Sequence, residues 1–204
     1  MTEAEWLAAT DPIAMLTFLR GQASARKLRL FACACCRLSW KRPPGGREME
    51  AVAVAERLAD GLATNAERRA VAASLGYVRP FAACHLSALR GNPFWAAMDC
   101  GEVAARASPT EGQVRVHPVA QAALVRDVFG SPPRPAVLDP AWLTSTVVQL
   151  AGGIYADRAF DRLPILADAL QDAGCDDPNV LAHCHEGGPH VRGCWVVDLL
   201  TGRE

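Results

Sequence analysis

The sequence predicts a compact all-α domain of short, capped helices with marginal β content, and three observations predict it. Asp-Pro pairs recur at Asp11-Pro12, Asp139-Pro140 and Asp177-Pro178, placing a side-chain acceptor at the N-cap and a residue that needs no donor at the first helical position. Apolar residues return at helical spacing through most of the chain. Alternating β-branched runs are confined to Gln113-Val114-Arg115-Val116 and Trp195-Val196-Val197.

The elements follow in order. Thr2 and Glu5 fit a capping box and open a first helix, and Asp11-Pro12 opens a second. A third helix spans residues 24–42, with Leu28, Phe31, Cys35 and Leu38 on one face. Ala51, Ala55, Leu58 and Leu62 form the stripe of a fourth, and Thr64 with Glu67 starts a fifth. Ser108 and Glu111, with Pro109 between them, form a further capping box. Ala120, Leu124, Val125 and Val128 then line another helix. After Asp139-Pro140 come the stripes Leu143, Val147, Leu150, Ile154 and Leu163, Leu166, Leu170, and Asp177-Pro178 opens one more helix. Gly21, Gly61, Gly130, Gly174 and Gly202 each follow a periodic stretch, where a left-handed residue ends a helix. The expectation is roughly eight to ten helices.

With 204 residues, half of them apolar, the chain is long enough for one ordinary domain with a real core. The reading is a single helical domain over 1–204. Two Pro/Gly-rich stretches, residues 42–46 and 130–135, could separate sub-units, and the second is the better boundary, between a helical bundle over 1–130 and a Cys/His-containing segment over 136–204. A net charge of −1 removes global electrostatics as an argument for nucleic-acid or membrane binding. No run of about 18 apolar residues is present to span a bilayer. The opening residues are acidic where a secretory signal is basic, so the expected location is cytoplasmic and the expected state of the eight cysteines is reduced.

Charge is nevertheless segregated. Between Pro12 and Arg47 there are eight basic residues and no acidic one, whereas residues 157–186 carry seven acidic residues against two arginines. Arg26, Arg37 and Lys41 share one side of the 24–42 helix, which makes it amphipathic with a basic face. With Lys27, these residues are the expected contact for a protein partner with an acidic surface. The competing account pairs them internally with the 157–186 segment. Groove-reading motifs and interleaved aromatics are missing, so nucleic acid is not the expected partner.

The second concentration of chemistry is C-terminal. Cys175, His183, Cys184, His185, His190 and Cys194 are six soft or borderline ligands within twenty positions. A Gly-Gly-Pro loop flanked by such ligands can wrap a tetrahedral ion. Cys175, Cys184, His190 and Cys194 are the expected zinc ligands, with His183 the alternative fourth. The spacing matches no standard zinc motif, and Gly-Gly-Pro breaks the helix that a metalloprotease motif requires. Without a metal, these residues read as buried thiols and hydrogen-bonding histidines.

A third class is thiol chemistry. Cys33, Cys35, Cys36, Cys84 and Cys100 are candidate nucleophiles, with His85 beside Cys84. Neighbours on a helix point about 100° apart, so adjacency supplies no base, and core packing is the simpler account. Glycine motifs for dinucleotides, the P-loop and the G-x-S-x-G elbow are absent.

Two stretches carry a resemblance. Met1-Thr2-Glu3-Ala4-Glu5-Trp6-Leu7 with Arg26-Lys27-Leu28-Arg29-Leu30-Phe31-Ala32-Cys33 resembles one end of an uncharacterised family of planctomycete bacterial proteins. Phe160-Asp161-Arg162-Leu163-Pro164-Ile165-Leu166-Ala167-Asp168-Ala169-Leu170, Gly174-Cys175-Asp176 and His190-Val191-Arg192-Gly193-Cys194-Trp195 resemble its other end. The resemblance implies a bacterial, single-module protein and no particular activity. The sequence-based reading is therefore a non-enzymatic protein-interaction or regulatory module acting through the 24–42 helix, with no cofactor. The alternatives are a zinc-stabilised helical module and a thiol-dependent enzyme.

Overall fold

Each Asp-Pro pair starts an element in the way its chemistry requires. In the computed structural model, which describes residues 1–40, 46–75, 87–106, 114–132 and 136–203, Asp11 Oδ1 accepts from the Ile13 amide at 2.9 Å. Asp177 Oδ1 accepts from Asn179 and Val180, and Asp139 caps a single 3-10 turn over Pro140–Trp142. The Thr2/Glu5 and Thr64/Glu67 boxes both form, each side chain returning to the other's amide. The Ser108/Glu111 box lies outside the described residues.

The fold is all-α. Among the described residues there are eleven α-helices, a second 3-10 turn at Phe160–Arg162, and no strand. The helices are α1 (Glu3–Ala8), α2 (Pro12–Phe18), α3 (Ala25–Leu38), α4 (Gly46–Ala59), α5 (Asn65–Leu75), α6 (Pro93–Arg106), α7 (Pro118–Phe129), α8 (Ser145–Asp157), α9 (Leu163–Asp172), α10 (Pro178–His185) and α11 (Trp195–Thr201). The short run Trp195-Val196-Val197, one of the two noted for β-branched residues, forms the first turn of α11, with Val196 and Val197 buried. Three apolar residues in a row between a cap and Gly202 cannot distinguish strand from buried helix by period alone. Two stripe residues also fall beyond their helices. Leu62 follows the end of α4 and Leu143 precedes α8, and both are exposed.

The chain divides into two compact units, one of residues Ala9–Val125 and one of Met1–Ala8 with Arg126–Glu204. The division falls inside α7, not at 130–135, and α1 groups with the C-terminal residues. The reason is local: the Trp6 indole N–H donates to the Gly130 carbonyl at 2.8 Å, and Arg126 donates to the Trp6 carbonyl at 3.3 Å. Trp6 itself is fully buried.

In the 9–125 unit, α3 is the central helix. Its residues from Leu28 to Cys36 are buried without interruption, and it packs against α4 and α6, with α5 on α4. In the other unit, α8, α9, α10 and α11 enclose one core of Val147, Ala151, Ile154, Leu163, Leu166, Leu170, Val180, Val196 and Val197, with Cys175, Cys184 and Cys194 among them. No described helix is long and apolar enough to cross a membrane.

Candidate metal centre

Three local structures converge in the C-terminal unit. Asp127 lies in the last turn of α7, three residues before the left-handed Gly130 that ends the helix. Gly130 is required twice over, because its φ is +64° and an added Cβ would stand 3.2 Å from the Trp195 ring. His183 comes from α10, which Val180 and Cys184 anchor by burying one turn apart. Its position, one residue before Cys184, turns it about 100° from that buried face. The chain then reverses through Glu186-Gly187-Gly188-Pro189 and presents His190, and Cys194 stands at the start of α11.

The result is a group of Asp127, His183, His190 and Cys194 in which one ligand atom from each lies within 4.8 Å of every other. His190 Nδ1 is 2.7 Å from Asp127 Oδ1, and His183 Nε2 is 3.2 Å from both Asp127 Oδ1 and Cys194 Sγ. The side chains of Asp127, His183 and His190 are only 4, 13 and 10% exposed, so the site excludes most solvent. The His183 ring packs edge-on against His190 and beside Trp195, with centroids 4.8 and 5.2 Å apart.

Two partners outside the group orient its ligands. The second Asp127 oxygen, Oδ2, accepts from the Val191 amide at 2.9 Å, leaving Oδ1 for the cluster. His190 Nε2 lies 2.9 Å from the Glu186 carbonyl. A carbonyl only accepts, so Nε2 carries the proton and Nδ1 faces the cluster. Nδ1 then holds either a second proton, giving an imidazolium against Asp127, or a lone pair offered to a cation. A ligating histidine fixed through its other nitrogen is the arrangement that metal centres use.

The electrostatics agree with a site that wants positive charge. Burial pushes the Asp127 carboxyl up, but hydrogen bonds and charge from His183 and His190 outweigh it and hold it below the usual carboxylate range. Burial opposes the charged form of His190, yet Asp127 and the Glu186 carbonyl raise it above an ordinary histidine. Cys194 is pushed well above the usual thiol by burial and then by the Asp127 charge, with the Val197 and Val196 amides pulling the other way. A dication that met an ionised Asp127, an ionised Cys194 and two neutral histidines would leave the buried group electrically neutral.

Of the expected zinc ligands, the structure brings His190 and Cys194 into this group, while Cys175 and Cys184 lie outside it. Both are buried in the core. Burial raises Cys175 and pushes Cys184 up to about 12. His185 is exposed on α10. Asp127 takes the place no local pattern suggested. Its signal is a small one: an acid in the last turn of an apolar helix opposes the helix dipole and needs a cationic partner.

The basic face of α3 is engaged within its own unit. Arg26 pairs with Asp60 at 3.0 Å, both side chains 11% exposed. Arg37 donates through Nε and Nη2 to both Glu56 oxygens at 2.8 and 2.9 Å. Glu56 lies on α4 and Asp60 in the turn after it, so these acidic partners of Arg37 and Arg26 come from the same unit. Lys27 is half-buried, and Lys41 lies outside the described residues. Arg29 is buried and donates to the Ala88 and Arg90 carbonyls at 2.9 and 3.0 Å.

Cys33, Cys35, Cys36 and Cys100 are buried in the 9–125 unit, whereas a nucleophilic thiol must be reached by its substrate. Cys84 and His85 lie outside the described residues. Comparison with protein-family models, curated proteins and solved structures returns no match.

Proposed function

We propose that the chain is a metal-binding helical module, in which Asp127, His183, His190 and Cys194 hold a divalent transition ion, zinc in the first instance. The observation that carries this reading is the convergence of the four ligand atoms within 4.8 Å in a solvent-poor site. Its support is the pinning of the remaining Asp127 and His190 atoms by Val191 and Glu186. Three ligands come from the continuous stretch of α10 and the loop before α11 and the fourth from the end of α7, so an ion would tie that stretch to a helix more than fifty residues earlier in the chain. The earlier reading, an acidic partner docking on α3, is less well supported, because such a partner must displace Glu56 and Asp60 from Arg37 and Arg26.

Thermal unfolding tests the proposal. A ligand that binds only the folded state stabilises it by about 2.7 kcal/mol at a hundredfold excess over Kd. For a chain of 204 residues, that is a rise of roughly 5–10 °C. Chelator-stripped full-length protein is expected to show such a rise when zinc is added, and His183→Ala is expected to lose it. A melt unchanged by zinc and by chelator contradicts the reading.

A further inference from the structure

The donor set defines more than a place for a cation. The Asp127 carboxylate offers the group one oxygen, because Oδ2 is already engaged by the Val191 amide. The other donors are two imidazole nitrogens and a sulfur. Magnesium and calcium demand six or more oxygen ligands and take waters to reach them. One oxygen in a site whose other flanks are His183, His190 and Cys194 cannot satisfy either. A thiolate with imidazoles selects borderline and soft ions instead.

The spacing points the same way. A tetrahedral ion with bonds of about 2.0–2.3 Å holds its ligand atoms about 3.3–3.6 Å apart. The short edges here are 2.7, 3.2 and 3.2 Å, and no pair exceeds 4.8 Å. Opening the Asp127–His190 edge by about 0.6 Å and closing the widest one by about 1.2 Å reaches that geometry. Four protein donors already complete a tetrahedron, and catalytic zinc sites instead keep one position for water or substrate.

Resting on the metal-binding reading above, we infer that Asp127 Oδ1, His183 Nε2, His190 Nδ1 and Cys194 Sγ form a closed, four-coordinate zinc centre with a single thiolate. It holds the fold and performs no hydrolysis. Cys194 is its only sulfur ligand, and Cys184 and Cys175 take no part in it. On binding, the Cys194 thiol and the His190 Nδ1 position each give up a proton to solvent, and the His183 proton moves from Nε2 to Nδ1, as the bonds to the ion form. No electron is transferred and no co-reactant is consumed.

Cobalt(II), a spectroscopic stand-in for zinc, separates this inference from the reading beneath it. Added to chelator-stripped full-length protein, it is expected to bind one to one. The near-ultraviolet thiolate-to-cobalt band and the strong visible bands of a four-coordinate ion should both appear. Zinc should displace it, and magnesium or calcium at roughly a hundredfold excess should not. The thiolate band should vanish in Cys194→Ser and persist in Cys184→Ser and Cys175→Ser. Bound cobalt with the weak spectrum of a six-coordinate ion, or a thiolate band that survives Cys194→Ser, overturns the closed site while metal binding stands. Failure to bind cobalt or zinc at all removes both. Because Cys194→Ser could simply fail to fold, X-ray absorption at the zinc edge of the unmutated protein gives the same answer without a variant. One sulfur with three nitrogen or oxygen neighbours is the expected count. Zero or two sulfurs, or five or six light neighbours, contradicts it.

Discussion

Replacing Asp127 with alanine is expected to lower the stability of the metal-free protein by about 3–5 kcal/mol, and to abolish stabilisation by zinc. The first part follows from what the carboxylate does without an ion. It accepts from His190, His183 and the Val191 amide in a site where its own side chain is 4% exposed. Removing one member of a buried charged group leaves the others desolvated and uncompensated, and the cost is of that size. The second part follows because no other carboxylate belongs to the group. Asp127→Asn separates the two effects. It retains an acceptor for the Val191 amide and the side-chain volume, so it should unfold at milder denaturant than the parent but later than Asp127→Ala, and it should respond only weakly to zinc. Equilibrium unfolding in urea, with and without zinc, measures both. A loss below about 1 kcal/mol for Asp127→Ala is inconsistent with a buried charge cluster at this site.

The second large effect belongs to the 9–125 unit. Arg37→Ala strips the Glu56 carboxylate of a bidentate partner, with Glu56 only 3% exposed and Arg37 31% exposed. Because the arginine side is part-solvated, the expected loss is about 2–3 kcal/mol, below that of a fully buried pair. The added change Glu56→Gln removes the stranded charge and should recover part of that loss, and the double-mutant cycle reads the coupling directly. This pair also discriminates between two uses of the basic helix. A surface arginine kept for an external acidic partner would be replaced with little change in stability. A destabilisation of the expected size, relieved by Glu56→Gln, makes Arg37 a structural residue of α3 and α4. No destabilisation returns it to the surface reading.

The helical class, the caps and much of the punctuation are legible in the sequence because they depend on neighbours within a few residues. Asp11, Asp139, Asp177, Thr2 and Thr64 act on amides two or three positions away, and helical stripes report burial directly. Trp195-Val196-Val197 is ambiguous because three residues are shorter than either period needs. The candidate group is legible only in half. His190 and Cys194 sit in the loop where soft ligands concentrate. The other two positions are decided by tertiary packing. Burial of Cys184 beside Val180 commits α10 to an orientation that presents His183. Asp127 enters from a helix that ends more than fifty residues earlier in the chain. The ion pairs of α3 show the same limit. Their acidic partners on α4 and its following turn, Glu56 and Asp60, lie in a region of mixed charge, so the acidic 157–186 segment is the more conspicuous complement in sequence, although Arg37 and Arg26 pair within their own unit.

The account rests most on the claim that the C-terminal cluster is a metal centre, and the metal content of untagged protein tests that claim most directly. Purified without a histidine tag and without added metal or chelator, the chain is expected to carry about one zinc per molecule by elemental mass spectrometry. The His183→Ala protein should carry close to none. Metal-free wild-type protein that also fails to retain zinc after dialysis against it would contradict the account, and the four side chains would then be a buried ion-paired network alone.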